Sequence, residues 1–283
     1  MPVIPTELPL HVTEVEPDPD VEPGDETFLL VHGYAASSFT WHRWRDPLAR
    51  RGRVIQIDLK GFGRAPKPDD GRYDIEDLVD LVVELVRELD LHRLTLVGHS
   101  LGGGISLLTA LRLLDANESR LARLGLVAAP AYRQKLPPFV ALSKTPVVSE
   151  SFARLLGART IVKQVLRTIV RDPSTITEEQ IQEYAVGLES EGGIRAAMDV
   201  GRSIVPDDID AISRRYPEID IPTFLLWGDE DPVIPLWVGE RLAGELANAH
   251  LTVLDECGHV PPEEKPAESL AAFTSFLDEH PLD

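Results

Sequence analysis

A serine able to act as a nucleophile lies in the segment Gly98–Gly102, which reads Gly-His-Ser-Leu-Gly. The apolar run Leu94–Val97 predicts a strand and Ile105–Leu114 predicts a helix, so Ser100 lies where a strand turns sharply into a helix. Such a turn holds the serine hydroxyl clear of the backbone, where a neighbouring base can activate it. Because the first N–H groups of a helix are unpaired, the Leu101 N–H is a candidate donor to an oxyanion.

Two further side chains that could assist this serine follow predicted strands near the end of the chain. The apolar runs Thr223–Trp227 and Leu251–Leu254 predict strands, and Asp231 and His259 come shortly after them. The carboxyl ends of parallel strands meet at one edge of a sheet, so we expect Ser100, Asp231 and His259 to converge there. An alcohol, an imidazole and a carboxylate in contact can catalyse acyl transfer.

A candidate for the second oxyanion donor follows another apolar strand, Thr27–Val31. Gly33 allows the backbone to turn outward after this strand, which leaves the N–H of Tyr34 free to face a ligand. We interpret His32 as a structural residue that bonds to nearby backbone. Asp58, at the end of the next predicted strand, is interpreted as a brace for the loop that follows it.

The elements that position these residues alternate between strands and helices. Leu8–Val15 predicts an edge strand and the spacing of Trp41 and Trp44 predicts a buried face on a helix over Ser37–Arg50. The other predicted elements before residue 130 are the strands Val54–Asp58 and Leu121–Ala129 and a helix from Asp74 to Leu89. This order predicts an α/β fold, with a mostly parallel central sheet flanked by helices.

The pattern changes after residue 130, which predicts an insertion. Residues 131–217 contain helical patterns without strands, at 148–170, 177–188 and 193–204. We expect this segment to form a helical cap over the sheet edge, between a first core part (1–130) and a second core part (218–283) that closes with a helix over Pro266–Leu277. The candidate walls of the substrate pocket are Phe139, Val140, Phe152 and Leu155.

Composition narrows the classes of function. The 283 residues carry a formal net charge of −19, so we expect neither nucleic acid nor a membrane to be a partner. The chain has one cysteine, Cys257, and no apolar run as long as a membrane span. We interpret Cys257 as a small buried residue. These features predict a soluble cytoplasmic protein, either a monomer or a homodimer.

The chain resembles the α/β-hydrolases that have a cap and a serine nucleophile. The resemblance covers nearly the whole length, and the cap is its least similar part. It is carried by the segments His32–Tyr34, Asp58–Arg64, Gly98–Gly102, Trp227–Asp231 and Gly258–His259.

This resemblance implies a role for each candidate residue. Ser100 would be the nucleophile, His259 the base and Asp231 the acid that orients it, with the N–H groups of Tyr34 and Leu101 as the oxyanion hole. It implies no metal and no cofactor.

Two neighbouring residues offer alternatives to these assignments, and the identity of residue 100 bears on the reaction. The spacing in the family favours Asp231 over Asp229, which suits a turn cap. His99 is interpreted as a packing residue. A serine at position 100 disfavours the epoxide hydrolases and haloalkane dehalogenases, because the resemblance would link those reactions to an aspartate there.

Four hypotheses about function follow. The first is a carboxylesterase that acts on small to medium uncharged esters. The second is a hydrolase of carbon–carbon bonds in vinylogous diketone acids, which would need cationic groups beside the serine, and the turn after Gly33 offers none. Perhydrolysis or acyl transfer to another acceptor would use the same side chains. The last is a signal receptor of the same fold that binds its ligand without rapid turnover.

Overall fold

The computed structural model describes residues 1–16, 26–144 and 156–282. Seven strands form one sheet: β1 (His11–Glu14), β2 (Glu26–Val31), β3 (Gly52–Asp58), β4 (Leu94–His99), β5 (Leu121–Val127), β6 (Thr223–Gly228) and β7 (Ala249–Leu254). Their spatial order is β1-β3-β2-β4-β5-β6-β7. β1 is an edge strand antiparallel to β3, and the other neighbours are parallel. The predicted sheet is therefore confirmed.

Helices lie on both faces of this sheet. The α-helices of the described residues are α1 (Arg45–Ala49), α2 (Ile75–Glu88), α3 (Leu101–Asp115), α4 (Pro138–Ala141), α5 (Ala158–Ile169), α6 (Glu178–Glu189), α7 (Gly193–Arg202), α8 (Ile209–Ile212), α9 (Leu236–Glu245), α10 (Pro261–Glu264) and α11 (Pro266–Glu279). Short 3₁₀ helices span Ser38–Trp41, Leu142–Lys144, Pro173–Thr175 and Ser213–Glu218.

The central strands are buried on both faces, as their continuous apolar sequence predicts. In β2, Leu29 and Val31 pack into the core cluster that includes residues of α2 and α3. Phe28 and Leu30 point the other way, into the cluster that includes Phe273 of α11. Because side chains alternate along a strand, one apolar run joins both halves of the core.

One helical prediction near the core was wrong, and one helix was missed. The segment 37–50 is not one helix, because Pro47 has no N–H and its ring is tolerated only in the first turn, so α1 begins at Arg45. Trp41 and Trp44 are nonetheless fully buried in contact with each other. The helix α9 was not predicted. It contains Gly239, whose missing side chain allows the helix to lie against the ring of Trp227.

The described part of segment 131–217 is helical. Its α6 begins with a capping box, in which Thr177 and Gln180 each accept a hydrogen bond from the other's backbone N–H. α5 and α6 pack together through a small apolar cluster. The predicted helix over 148–170 is described only from Leu156, and the candidate wall residues Phe152 and Leu155 lie outside the described residues. The division into core and cap stays a prediction.

The length and hydropathy of each described helix decide whether it could span a membrane. Across 1–16, 26–144 and 156–282, no helix is both long and apolar enough to cross a bilayer.

Candidate active site

Ser100 lies at the sharp turn between β4 and α3. Its backbone has φ 51° and ψ −123°, a strained conformation for a residue with a side chain. The turn is tight on both sides of the serine. A Cβ on Gly98 would lie 2.2 Å from the carbonyl oxygen of Gly102, and one on Gly102 would lie 2.3 Å from that of Val31. Glycine is therefore required at both positions.

The three predicted side chains form a continuous hydrogen-bonded chain. His259 Nε2 lies 2.9 Å from Ser100 Oγ, and His259 Nδ1 lies 2.8 Å from Asp231 Oδ2. An ionised carboxylate only accepts hydrogen bonds, so Nδ1 must carry the proton in this contact. Nε2 of the neutral ring then presents a lone pair to the serine hydroxyl. This is the arrangement needed to remove the hydroxyl proton.

Asp231 is fixed by its own loop. Its other oxygen, Oδ1, accepts hydrogen bonds from the N–H groups of Val233 at 2.7 Å and Ile234 at 2.9 Å. The carboxylate is buried, so these bonds and the imidazole satisfy it where water does not reach. Asp229 instead accepts from the N–H of Cys257 at 3.2 Å. The structure thus brings Asp231 to the histidine and leaves Asp229 as a brace of the neighbouring loop.

The loop that carries His259 is held by a carboxylate that the sequence reasoning missed. Glu264 accepts hydrogen bonds from the N–H groups of Gly258 at 3.0 Å, Val260 at 2.9 Å and Arg171 at 2.7 Å. These contacts tie the residues on either side of the imidazole to a fixed point. An acid a few residues after a histidine is common in sequences, so no local signal would have marked it.

His99 also supports this loop. Its Nε2 donates a hydrogen bond to the carbonyl oxygen of His259 at 2.8 Å, while its Nδ1 has no partner among the described residues. Burial lowers the pKa of His99 to about 3, and the neighbouring His259 adds to this effect. His99 is therefore neutral. It bonds directly to the loop that carries His259, whereas the sequence predicted only a packing role.

The candidate oxyanion donors lie next to the serine. Leu101 is the first residue of α3, so its N–H has no carbonyl partner in a preceding helical turn. The turn at Gly33 packs against Ser100, since a Cβ on Gly33 would lie 3.1 Å from Ser100 Cβ. Tyr34 and Leu101 both line the cavity in front of Ser100. Their role as the oxyanion hole stays a prediction.

His32 and Asp58 have structural contacts, as expected. His32 Nδ1 donates to the Gly33 carbonyl at 2.7 Å, and its Nε2 accepts from the N–H of Leu59 at 3.0 Å. Asp58 accepts from the N–H groups of Ser38 and Arg64, each at 2.7 Å. Both residues hold the loops beside the site and neither contacts Ser100.

Comparison with known proteins agrees with this geometry. A sequence profile described as "Alpha/beta hydrolase family" matches residues 28–273. The chain belongs to the alpha/beta hydrolase family. It is 30% identical over 255 residues to the uncharacterized hydrolase YugF of Bacillus subtilis (strain 168), which covers 89% of this chain and 90% of that protein.

Two other similar proteins extend the comparison. The hydrolase is 27% identical to the 2-hydroxymuconate semialdehyde hydrolase of Pseudomonas sp. (strain CF600), across 89% of this chain and 86% of that one. A crystal structure of an alpha/beta hydrolase fold protein from Burkholderia ambifaria superimposes with a TM-score of 0.78 at 27% identity, covering 94% and 93% of the two chains. The α/β-hydrolase fold and a hydrolase activity are thereby established.

A cavity of about 470 Å³ opens in front of Ser100 of this hydrolase. The sheet edge forms its floor, and α5, α6 and α7 contribute much of its wall, including Val165, Leu188 and Met198. Phe139 and Val140, two of the candidate wall residues, also line it. Among the described lining residues there is no lysine or arginine, and the one acidic side chain is Glu263. Its volume is typical of a pocket for a small organic molecule.

Within the described ranges, no three histidine, cysteine, aspartate or glutamate side chains lie close enough together to hold a metal ion.

Proposed function

We propose that this hydrolase cleaves small to medium-sized carboxylic esters through an acyl-enzyme on Ser100. The observation that carries the proposal is the hydrogen-bonded chain from Ser100 through His259 to Asp231 at the floor of an apolar cavity. A serine hydroxyl attacks a carbonyl only when a base accepts its proton, and the 2.9 Å contact to His259 Nε2 supplies one.

The first half of the reaction forms the acyl-enzyme. His259 Nε2 takes the proton of Ser100 as Oγ attacks the ester carbonyl, and the resulting oxyanion accepts hydrogen bonds from the N–H groups of Tyr34 and Leu101. The tetrahedral intermediate then collapses, and His259 gives its proton to the departing alcohol. Asp231 stabilises the imidazolium that forms between these two steps.

The second half releases the acid. A water molecule takes the place of the alcohol, gives a proton to His259 Nε2 and attacks the acyl carbonyl of Ser100. The same two N–H groups bind the second oxyanion, and each such donor contributes on the order of 10²–10³ in rate. Collapse of this intermediate returns the proton to Ser100 Oγ and frees the carboxylic acid.

The composition of the cavity favours an ester that carries no negative charge. Its described lining offers apolar side chains and no lysine or arginine, so a carboxylate on the substrate would lose its hydration without gaining a cationic partner. The single acid in the wall, Glu263, would repel it further. The substrate that fits is an ester with apolar acyl or alcohol groups.

Similarity to the 2-hydroxymuconate semialdehyde hydrolase favours a second candidate, the hydrolysis of a carbon–carbon bond in a vinylogous diketone acid. This reaction would use the same serine and histidine. Its substrate carries a carboxylate, and the described lining lacks the cationic group that would bind it. We therefore rank it below ester hydrolysis.

A rate profile tests the proposal. We expect rapid multiple turnover of p-nitrophenyl esters graded in acyl length and no turnover of a vinylogous diketone acid. Ser100→Ala should lower ester turnover on the order of 10⁴-fold or more, with an unchanged melting temperature, because the hydroxyl acts chemically. Near-native turnover by Ser100→Ala would show that another group is the nucleophile. Faster cleavage of the diketone acid would favour the second candidate.

A further inference from the structure

Glu263 is an ionisable group in the cavity wall that the proposed reaction does not use. It lies on α10, four residues after His259, and it is the only acidic side chain among the described residues that line the cavity. The rest of that lining is apolar or neutral apart from the histidines. A charged group at such a position needs a structural or a recognition role, because burying it costs free energy.

The contacts of Glu263 leave part of its bonding capacity open. Its Oε2 accepts a hydrogen bond from Gln180 Nε2 at 2.6 Å, and its Oε1 accepts one from the Tyr184 hydroxyl. The Tyr184 hydroxyl also lies 3.1 Å from Thr40 Oγ1, and both of these residues line the same cavity. An ionised carboxylate has about four acceptor positions, so these two donors occupy half of them. The described residues supply no further hydrogen bond to this carboxyl, and Glu263 lines the cavity.

The surroundings of the carboxyl disfavour its charged form. Burial raises the pKa of Glu263 to about 7, against the opposing effect of the hydrogen bonds from Tyr184 and Gln180. The neighbouring Glu264 raises this pKa further and Arg43 lowers it. Burial also raises the pKa of Tyr184, so its hydroxyl stays neutral and remains a donor. A positive charge in the cavity would be the missing partner of the carboxylate.

We propose that Glu263 forms a recognition site for a protonated amine, so that the preferred substrates are esters with a basic nitrogen on an apolar frame. This inference rests on the proposed ester hydrolysis, and it replaces the uncharged esters expected from the sequence with cationic ones. An ammonium group donates strong hydrogen bonds to a carboxylate and offsets its burial, which a neutral hydroxyl does less well. The net charge of −19 also attracts cations toward the protein.

If the role of Glu263 were purely structural, its variants would behave differently from those of a recognition site. Glu263 joins the segment of His259 to α6, so its carboxyl could serve only as a link between the two. Tyr184→Phe weakens that link and keeps the acid, whereas Glu263→Gln keeps an acceptor of the same size and removes the charge. The two variants therefore separate the link from the charge.

The experiment compares two probes of equal length, n-hexylamine and n-hexanol, as competitive inhibitors of p-nitrophenyl butyrate hydrolysis. At roughly pH 8.5 the amine stays protonated, as a lysine does, and Glu263 with its pKa of about 7 is ionised. We expect the wild type to bind the amine at least about tenfold more tightly than the alcohol. Tyr184→Phe should keep this ratio, and Glu263→Gln should bring it close to one.

The pH dependence gives a second signature. A protonated His259 would also repel the amine, so the profile is measured as the difference between wild type and Glu263→Gln. In that difference, preference for the amine should rise as pH increases through about 7. A preference for the alcohol in the wild type, or a preference for the amine that survives in Glu263→Gln, would overturn the proposal. Loss of the ratio in Tyr184→Phe would overturn it as well.

Calorimetric titration of both probes into Ser100→Ala protein measures the same ratio without turnover. Failure of the wild type to hydrolyse p-nitrophenyl butyrate would contradict the proposed function. The calorimetric ratio, measured on Ser100→Ala with and without Glu263→Gln, would still decide whether the amine site exists.

Discussion

Different interactions hold the two sides of the cavity. We call the loops that carry Ser100, Asp231 and His259 the edge, and the helices α5, α6 and α7 the wall. At the edge, backbone N–H groups hold the polar side chains: two fix Asp231 and three fix Glu264. In the wall, side chains such as Val165 and Met198 face the cavity and offer it no hydrogen bond. Reactive groups are thus fixed by directional bonds, and the shape of the cavity is set by packing.

This difference predicts two kinds of variant. A change at the edge removes an interaction that every substrate needs in the transition state, so it should lower the rate for all esters alike. A change in the wall alters contacts with the part of the substrate that does not react, so it should change the ranking of esters. Glu263 tests this distinction. It follows His259 closely in the chain, at the edge, whereas its side chain bonds to a helix of the wall.

After Ser100→Ala, the largest effect is expected at Asp231, the acid of the edge. Asp231→Asn keeps the size of the side chain and removes the charge that holds the proton on His259 Nδ1, so we expect kcat to fall on the order of 10³–10⁴-fold. Asp229→Asn is the matched control in the same loop. Its amide oxygen can still accept from Cys257, and its kcat should stay within about threefold of wild type. A larger loss at 229 would reverse the assignment of the two acids.

The sequence was most informative about the edge. Ser100 and Asp231 follow the buried apolar strands β4 and β6, and His259 follows the partly exposed strand β7. Parallel strands bring their carboxyl ends together whatever the length of chain between them. The local patterns therefore predicted the positions of side chains that are distant in the chain. Strand burial and glycine spacing are local properties, which is why they can be recognised in one sequence.

Local sequence patterns could not predict the wall or its contacts with the edge. The contacts from Glu263 to Gln180 and Tyr184 join segments about 80 residues apart, and nothing near Glu263 indicates them. The helix α9 was missed because its glycines weaken the helical pattern, although Gly239 is what lets it approach Trp227. Contacts of this kind depend on packing between elements, which periodicity does not encode.

A smaller effect, on stability, should follow from the position of Glu263. Its folded pKa of about 7 lies above the ordinary value, so the folded protein retains a proton that the unfolded chain releases between about pH 4.5 and 7. Raising the pH through this window therefore destabilises the folded wild type. Glutamine does not titrate, so Glu263→Gln should gain on the order of 2 kcal/mol relative to wild type between about pH 5 and pH 8.

Denaturant unfolding at the two pH values measures this change. Glu268→Gln, which removes an equally charged but exposed side chain on α11, is the control and should show no such gain. An equal response of both variants would mean that the carboxyl of Glu263 is as well solvated as a surface acid. The distinction between edge and wall would then not apply to Glu263.

The smallest effect is expected in the wall itself. Val165 lies on α5 and lines the cavity, so Val165→Phe should fill space that a long acyl chain would occupy. Each methylene excluded from an apolar site costs about 0.8 kcal/mol, so exclusion of about two methylenes should lower hydrolysis of p-nitrophenyl decanoate about tenfold relative to the butyrate. Val165→Ala should shift the preference the other way.

Thr168→Phe places the same ring on the exposed side of α5 and controls for changes in the helix. It should leave the ratio of decanoate to butyrate hydrolysis unchanged. If Val165→Phe instead slowed both esters equally, the wall would be acting on the reactive groups and the separation between edge and wall would fail. The separation is supported if Val165→Phe changes the ratio of decanoate to butyrate hydrolysis and leaves the rate on the butyrate constant. The substitution then affects only the part of the substrate that is remote from the reacting bond.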